Sequence, residues 1–173
     1  PASYTFVIWG VIYLLLTGFT IYQFTKEGRR SPAVRKIEWM FIVSVLLNAI
    51  WLYVWENKNF ILSAIIIFVY FIILANIYIS LEPKTKPINF KEALFVRYPF
   101  SINFAWVTLA FAVNIANVLS IYGVDGNLEV IIGIILLGAV VWITYWNYKK
   151  TKDVVFLGTI SWGLIGIIVN LII

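Results

Sequence analysis

Aromatic and amide side chains recur at helical intervals in three apolar segments of this sequence, where they could bind a ligand by stacking and hydrogen bonding. The six candidate binding residues are Trp9, Tyr13, Asn48, Trp51, Trp106 and Asn114. The spacing within each segment places its pair on one face of a helix. If the three faces meet, their rings and amides would line a cavity that holds a flat apolar molecule and orients it with a few hydrogen bonds.

The same segments lack the side chains that catalysis and metal binding require. The chain has no Cys, no His and a single Met, Met40, and no Asp, Glu, Lys or Arg lies near the middle of an apolar segment. Zinc, haem iron and iron–sulfur clusters usually take Cys, His or Met ligands. A proton relay or an acid–base pair needs ionisable groups. We therefore expect no enzyme, no catalytic residues, no metal site and no resident cofactor.

A purely structural role for these side chains is an open alternative. Asn and Ser between membrane helices often serve only to hydrogen-bond one helix to another. Trp near a helix end usually anchors that end at the membrane surface. Interfacial anchoring explains Trp39, Trp55, Trp142 and Trp146. Trp51, Trp106 and Trp162 lie deeper in their segments, so anchoring explains them less well.

The composition predicts an all-α, polytopic membrane protein that forms a single transmembrane domain. Hydrophobic residues make up 62% and charged residues only 12% of the 173 residues, whereas a soluble chain is roughly a quarter charged. A spanning helix needs about 20 apolar residues. Six segments reach that length, at residues 4–24, 37–55, 60–81, 93–121, 128–148 and 154–173. Two pairs of small residues, Thr159 with Gly163 and Gly133 with Gly138, predict close approach of neighbouring helices.

Basic residues alternate between the two sides of this predicted bundle. The loops at 25–36, 82–97 and 149–153 hold all but one of the thirteen Lys and Arg residues, the exception being Lys58. By the positive-inside rule these three loops face the cytoplasm. Topology and attraction to anionic membrane lipid therefore account for the net charge of +5, and we expect no nucleic-acid partner.

Three motifs resemble those of the TspO/MBR family, the tryptophan-rich sensory and translocator proteins. WGVIY at 9–13 resembles the family's W-x-x-L-Y, LNAIW at 47–51 its L-N-x-x-W, and WVTLAFAVN at 106–114 its W-x-x-F-A-x-x-x-N. The sequence segments 4–10 and 98–102 resemble those of a longer bacterial branch of the family, in which extra helices follow the common five. Two features depart from the family pattern: Pro99 lies seven residues before Trp106, and the family's Met-Gly is replaced by a displaced Thr17-Gly18.

The resemblance covers residues 4–120 and implies both an architecture and a ligand class. Residues 1–121 would be a TspO-like core whose first helix precedes Pro1, and residues 122–173 would add two helices. The resemblance further implies a bacterial cytoplasmic membrane, a homodimer, and a receptor or carrier for a flat hydrophobic ligand such as a tetrapyrrole. Because metal ligands are missing, a metal-free macrocycle is favoured over haem. A facilitator for a neutral solute and a non-catalytic structural or regulatory membrane subunit are the alternatives.

Overall fold

The computed structural model describes residues 2–81, 89–123 and 126–172, and within these ranges the chain forms helices and no strands. A 3-10 turn, Ser3–Val7, leads into α1 (Ile8–Phe24), and a short α2 (Lys26–Arg30) precedes α3 (Pro32–Glu56) and α4 (Phe60–Ser80). Then follow α5 (Phe90–Glu92), a π-helical turn (Ala93–Arg97), α6 (Tyr98–Ile121), α7 (Gly126–Thr151) and α8 (Val154–Ile172). The predicted all-α membrane bundle is confirmed.

Within the described ranges, five helical stretches are long and apolar enough to cross a membrane. They are Ser3–Phe24, Pro32–Glu56, Phe60–Ser80, Phe90–Ile121 and Gly126–Thr151. The sixth predicted span corresponds to α8, which is apolar but shorter than the others. Residues 82–88, which belong to the predicted basic loop 82–97, lie outside the described residues, as do Pro1 and Ile173 at the ends of the chain.

Polar side chains cap the helices and so fix where the spans begin. Ser31 Oγ accepts a hydrogen bond from Val34 N at 3.4 Å, with Pro32 in the first turn of α3. This cap starts the helix five residues before the predicted boundary at 37, because Pro is well suited to a first helical position. Asn59 caps α4 and Asp153 caps α8 in the same way.

The span that contains α6 changes its winding just before Pro99. Proline cannot donate a backbone hydrogen bond, so the regular helical ladder is interrupted near it. Here the interruption is the π-helical turn Ala93–Arg97. Glu92 is buried just ahead of this turn, and Arg97 Nη2 lies 3.1 Å from its carboxylate. The charge at the end of the span is therefore paired, as a buried carboxylate must be.

Helix α6 is the centre of the bundle and packs against α1, α4, α7 and α8. One aromatic cluster joins α1, α3 and α6, where the ring of Phe19 lies 4.7 Å from Phe41 and 5.0 Å from Phe100. A second joins α4, α6 and α8, where Phe104 lies 5.2 Å from Tyr78 and 5.5 Å from Phe156. The candidate binding residues thus lie on helices held in place by packed rings on several sides.

The glycines predicted to permit close approach of neighbouring helices differ in how much space surrounds them. A side chain at Gly163 would collide with Leu109 of α6, so the predicted close approach of α8 is confirmed at this glycine. Gly133 and Gly138 instead face open space, because no atom of another described element lies within 4 Å of the position that a Cβ atom would take. The predicted close approach is wrong for these two glycines in the described chain, since α7 lies at the outside of the bundle and most of its surface is exposed.

Candidate functional site

The predicted aromatic residues meet between α1, α3 and α6. Trp9 stacks on Tyr13 at 5.5 Å and on Trp51 at 5.8 Å, and its edge meets Trp106 at 6.3 Å, all between ring centroids. Trp51 and Trp106 are 7% and 3% exposed, so neither faces the lipid. The structure therefore brings all four predicted rings together, with Trp51 and Trp106 buried in the bundle and Tyr13 partly exposed at its edge.

Asn114 joins three helices at one end of this aromatic cluster. Its side-chain oxygen accepts hydrogen bonds from Ser63 Oγ at 3.0 Å and from Trp51 Nε1 at 3.5 Å, while its amide nitrogen donates to the carbonyl of Ala110 at 2.9 Å. The contact with Trp51 is long for a hydrogen bond, and the contact with Ser63 is the shorter of the two interhelical ones. In this structure Asn114 connects α6 to α3 and α4 by hydrogen bonds, which is a structural role.

A second polar network crosses the bundle from α1 to α6. Tyr13 donates to Asn48 Oδ1 at 3.2 Å, and Asn48 Nδ2 donates to Tyr70 Oη at 3.2 Å. Tyr70 in turn donates to Asn103 Oδ1 at 3.0 Å. Each link joins a different pair of helices, so the network fixes the relative positions of four spans.

The larger cavity at these residues is a groove of about 660 Å³ between α1 and α3. It is lined by Tyr13, Leu16, Thr17, Thr20, Phe41, Ile42, Ser44, Val45, Leu46, Asn48, Ala49, Leu52 and Tyr70. Ile42, Val45 and Leu46 are each about half exposed or more, so the groove is open along the lipid-facing side of α3. We call this cavity the α1–α3 groove.

A smaller cavity of about 100 Å³ lies within the tryptophan cluster. Its lining comprises Phe6, Trp9, Trp51, Trp55, Trp106, Leu109, Ala110, Val113 and Asn114. Sites for drug-sized ligands are about 300–1,000 Å³, so this volume is too small for a macrocycle. The indole of Trp106 has no hydrogen-bond partner for its N–H among the described residues.

The sequence predicted one shared cavity, and the structure divides the six residues between two adjoining cavities. Tyr13 and Asn48 line the α1–α3 groove, whereas Trp9, Trp51, Trp106 and Asn114 line the small one. The reason is physical: the indole rings pack against each other and fill most of the space between them. The contact of Trp9 with Tyr13 connects the two cavities. That these six residues bind a ligand stays a prediction.

Two residues of α4 belong to the site although they are not among the six predicted from the sequence. Tyr70 is 1% exposed and is the central link of the polar network, and Ser63 donates to Asn114. They are seven residues apart, which puts them on one face of the helix. Their spacing of two helical turns in a mostly apolar segment was the signal that could have identified them.

The family comparison agrees with the motifs. The sequence matches the family model described as TSPO-like protein over residues 1–172, a longer range than the 4–120 predicted from the motifs. No curated protein and no solved structure matches the chain.

Proposed function

This chain belongs to the TSPO-like protein family, an assignment that suggests a membrane-bound ligand-binding or transport role, and from it we propose a specific activity. The protein is a membrane receptor or carrier for a flat hydrophobic ligand, such as a metal-free tetrapyrrole. The ligand lies in the α1–α3 groove. The long apolar helices support its placement in the membrane.

The observation that carries this proposal is the size and lining of the groove. A volume of about 660 Å³ falls within the range typical of small-molecule sites. Seven of the thirteen lining residues are apolar, and the polar groups of Tyr13, Asn48 and Tyr70 converge at one part of the wall. An apolar wall with a few fixed polar groups binds by burial and orients by hydrogen bonding.

The ring of Tyr13 supplies a surface on which a flat molecule can stack. It is 41% exposed, and Trp9 supports it by stacking at 5.5 Å. Because the groove opens beside exposed Ile42 and Leu46, a ligand dissolved in the bilayer reaches it sideways without crossing water.

The lining favours a macrocycle without a metal ion. It contains no charged residue, no His, no Cys and no Met in the part of the chain that the structure describes. Iron in a haem protein is usually held by an axial His, Cys or Met and in some proteins by Tyr. The hydroxyls of Tyr13 and Tyr70 here donate to Asn48 and Asn103. Stacking and hydrogen bonding are therefore the interactions that the groove can offer.

Titration of the purified protein with protoporphyrin, followed by quenching of Trp fluorescence, tests the proposal. Ala49 lines the groove, so Ala49→Phe should fill it and weaken binding at least about tenfold, the loss expected when about 1.4 kcal/mol of contact is removed. Ala139→Phe is the matched control, because Ala139 is an exposed alanine of α7 outside the groove. No saturable quenching in the unmodified protein, or equal affinity in both variants, would contradict the proposal.

A further inference from the structure

A further cavity lies where the end of α1 meets the short α2 and the turn before α6. Its volume is about 440 Å³, and it shares no lining residue with the two cavities described above. Its apolar part is formed by three side chains from α1 and the π-helical turn, namely Ile21, Tyr22 and Phe95. Its charged part is formed by three side chains from α2 and α5, namely Lys26, Glu27 and Lys91. We call this cavity the basic groove.

Packing of uncharged residues holds the shape of the basic groove. Tyr22 stacks on Phe95 with 5.7 Å between the ring centroids. A Cβ atom at Gly18 would lie only 3.0 Å from the ring of Phe95, so this glycine lets α1 approach the turn closely. Thr25 accepts a hydrogen bond from the backbone N–H of Gly28 at 3.0 Å, which starts α2 directly after α1. The charged side chains are exposed, so they can be replaced without disturbing this packing.

The charges of the groove leave it positive and able to bind an anion. Lys91 Nζ lies 2.9 Å from Glu27 Oε1, but the two side chains are 58% and 53% exposed. An exposed ion pair contributes little to stability, so Lys91 can turn to another anion at little cost. Lys26 makes no ion pair with any residue in the ranges that the structure describes. Two further cations, Arg29 and Arg30, follow on α2.

The position of the groove indicates which anion it binds. Ile21 is 65% exposed and belongs to Ser3–Phe24, a stretch that is long and apolar enough to cross a membrane. Lys26 lies two residues beyond the end of this stretch, where the headgroups of phospholipids lie in a bilayer. A free phosphate ion would contact only the lysines, whereas a phospholipid would use the charged and the apolar part together.

We propose that the basic groove binds an anionic phospholipid. The phosphate contacts Lys26 and Lys91, and an acyl chain packs along Ile21 and Phe95. The lipid thereby links α2 to α5. This site is separate from the α1–α3 groove, so it does not depend on the proposed function.

Native mass spectrometry of the delipidated protein tests the proposal by measuring the affinity for the first bound lipid. The probes are dioleoyl phosphatidylglycerol, which is anionic, and dioleoyl phosphatidylcholine, which has the same chains but no net charge. A basic residue at the membrane surface contributes about fivefold to the binding of acidic lipid. Lys26→Gln with Lys91→Gln should therefore weaken phosphatidylglycerol binding about tenfold to thirtyfold and leave phosphatidylcholine binding unchanged.

The matched control removes two positive charges elsewhere. Lys149 and Lys150 are exposed at the end of α7 and lie over the rings of Tyr145 and Trp146, outside the basic groove. Lys149→Gln with Lys150→Gln changes the net charge by the same amount and should leave the first affinity for phosphatidylglycerol unchanged. Equal losses in the two double variants would overturn the proposed site, because total charge would then explain the binding.

Glu27→Gln gives a change of the opposite sign. It removes the negative charge of the groove and releases Lys91, so phosphatidylglycerol should bind about fivefold more tightly. A loss of folding would weaken binding in every variant and could not produce this gain. Unchanged or weaker binding in Glu27→Gln would contradict the proposal.

Competition with inorganic phosphate distinguishes a lipid site from a simple anion site. A millimolar excess of phosphate should not displace phosphatidylglycerol, because phosphate has no chain to fill the apolar part of the groove. Displacement by phosphate would show that the groove binds the anion alone. Equal affinity of the unmodified protein for the two lipids would likewise refute the proposal.

Discussion

Replacement of Asn48 by leucine removes the link between α1 and α4 while keeping the side chain close to its original volume. Asn48 is 6% exposed and makes two interhelical hydrogen bonds, one from Tyr13 and one to Tyr70, each 3.2 Å long. The variant therefore loses two bonds without opening a large cavity. Tyr70 keeps its bond to Asn103, and Tyr13 is partly exposed, so neither hydroxyl is left wholly buried without a partner.

The expected loss of stability follows from these two bonds. Interhelical hydrogen bonds in membrane proteins contribute about 0.6 kcal/mol on average and up to about 1.7 kcal/mol. Two of them give about 1–3 kcal/mol for Asn48→Leu. The free energy of unfolding can be measured by titrating the protein in mixed micelles with a denaturing detergent.

Asn76→Leu provides the matched control for this measurement. Asn76 is exposed on α4, and its amide donates only to the carbonyl of Ile72 in its own helix, at 2.7 Å. We expect a change within about 0.5 kcal/mol, as for an ordinary surface substitution. Equal losses in the two variants would contradict this interpretation, because the interhelical bonds of Asn48 would then contribute nothing beyond the amide itself.

Three further predictions concern packing, a capping carboxylate and topology. Gly163→Ala places a methyl group against Leu109 and should lower the free energy of unfolding by about 1–3 kcal/mol through overpacking. Gly158→Ala, which has open space around it, should leave the thermal midpoint unchanged or raise it slightly. Equal midpoints for the two variants would refute the close packing of α8. Asp153→Asn keeps an oxygen to cap α8 but loses the second carboxylate oxygen, Oδ2, which accepts hydrogen bonds from Ser101 at 2.7 Å and Tyr78 at 2.8 Å. We expect the free energy of unfolding to fall by about 1–3 kcal/mol. An unchanged thermal midpoint would show that these two bonds contribute nothing. The chain has no native cysteine, so a single cysteine introduced by Arg29→Cys or Glu56→Cys can be tested with a membrane-impermeant maleimide added to either side of sealed vesicles. The maleimide should reach the cysteine at position 29 only from the cytoplasmic side and the cysteine at position 56 only from the opposite side. The reverse pattern would overturn the predicted orientation.

Much of the fold could be predicted from the sequence because the lipid environment imposes a simple rule. Long apolar runs must form helices, since backbone groups have no water to bond with in the membrane. The break before Pro99 has a local cause in the missing N–H of proline. Boundaries were less accurate: α3 begins at Pro32 because Ser31 caps it, a local bond that a hydropathy pattern does not contain.

The candidate site was predictable in its residues but not in its shape. Helical spacing correctly placed Trp51 and Trp106 in the interior, because each lies on the same face as buried neighbours. Spacing could not show that Trp9 would fill the space between them, since ring packing depends on the distances between helices. For the same reason Tyr70 was missed: its partners Asn48 and Asn103 are far away in sequence and become neighbours only through the fold.

The proposed function depends above all on a flat hydrophobic ligand occupying the groove between α1 and α3. Photolabelling with a diazirine derivative of a metal-free porphyrin, in the presence and absence of excess unlabelled porphyrin, shows directly where such a ligand lies. We expect the competed label to map by mass spectrometry to Leu16 and Thr20 on α1 and to Val45 and Ala49 on α3. Label that is not competed, or that maps to the outer surface of α7 instead, would contradict the proposal.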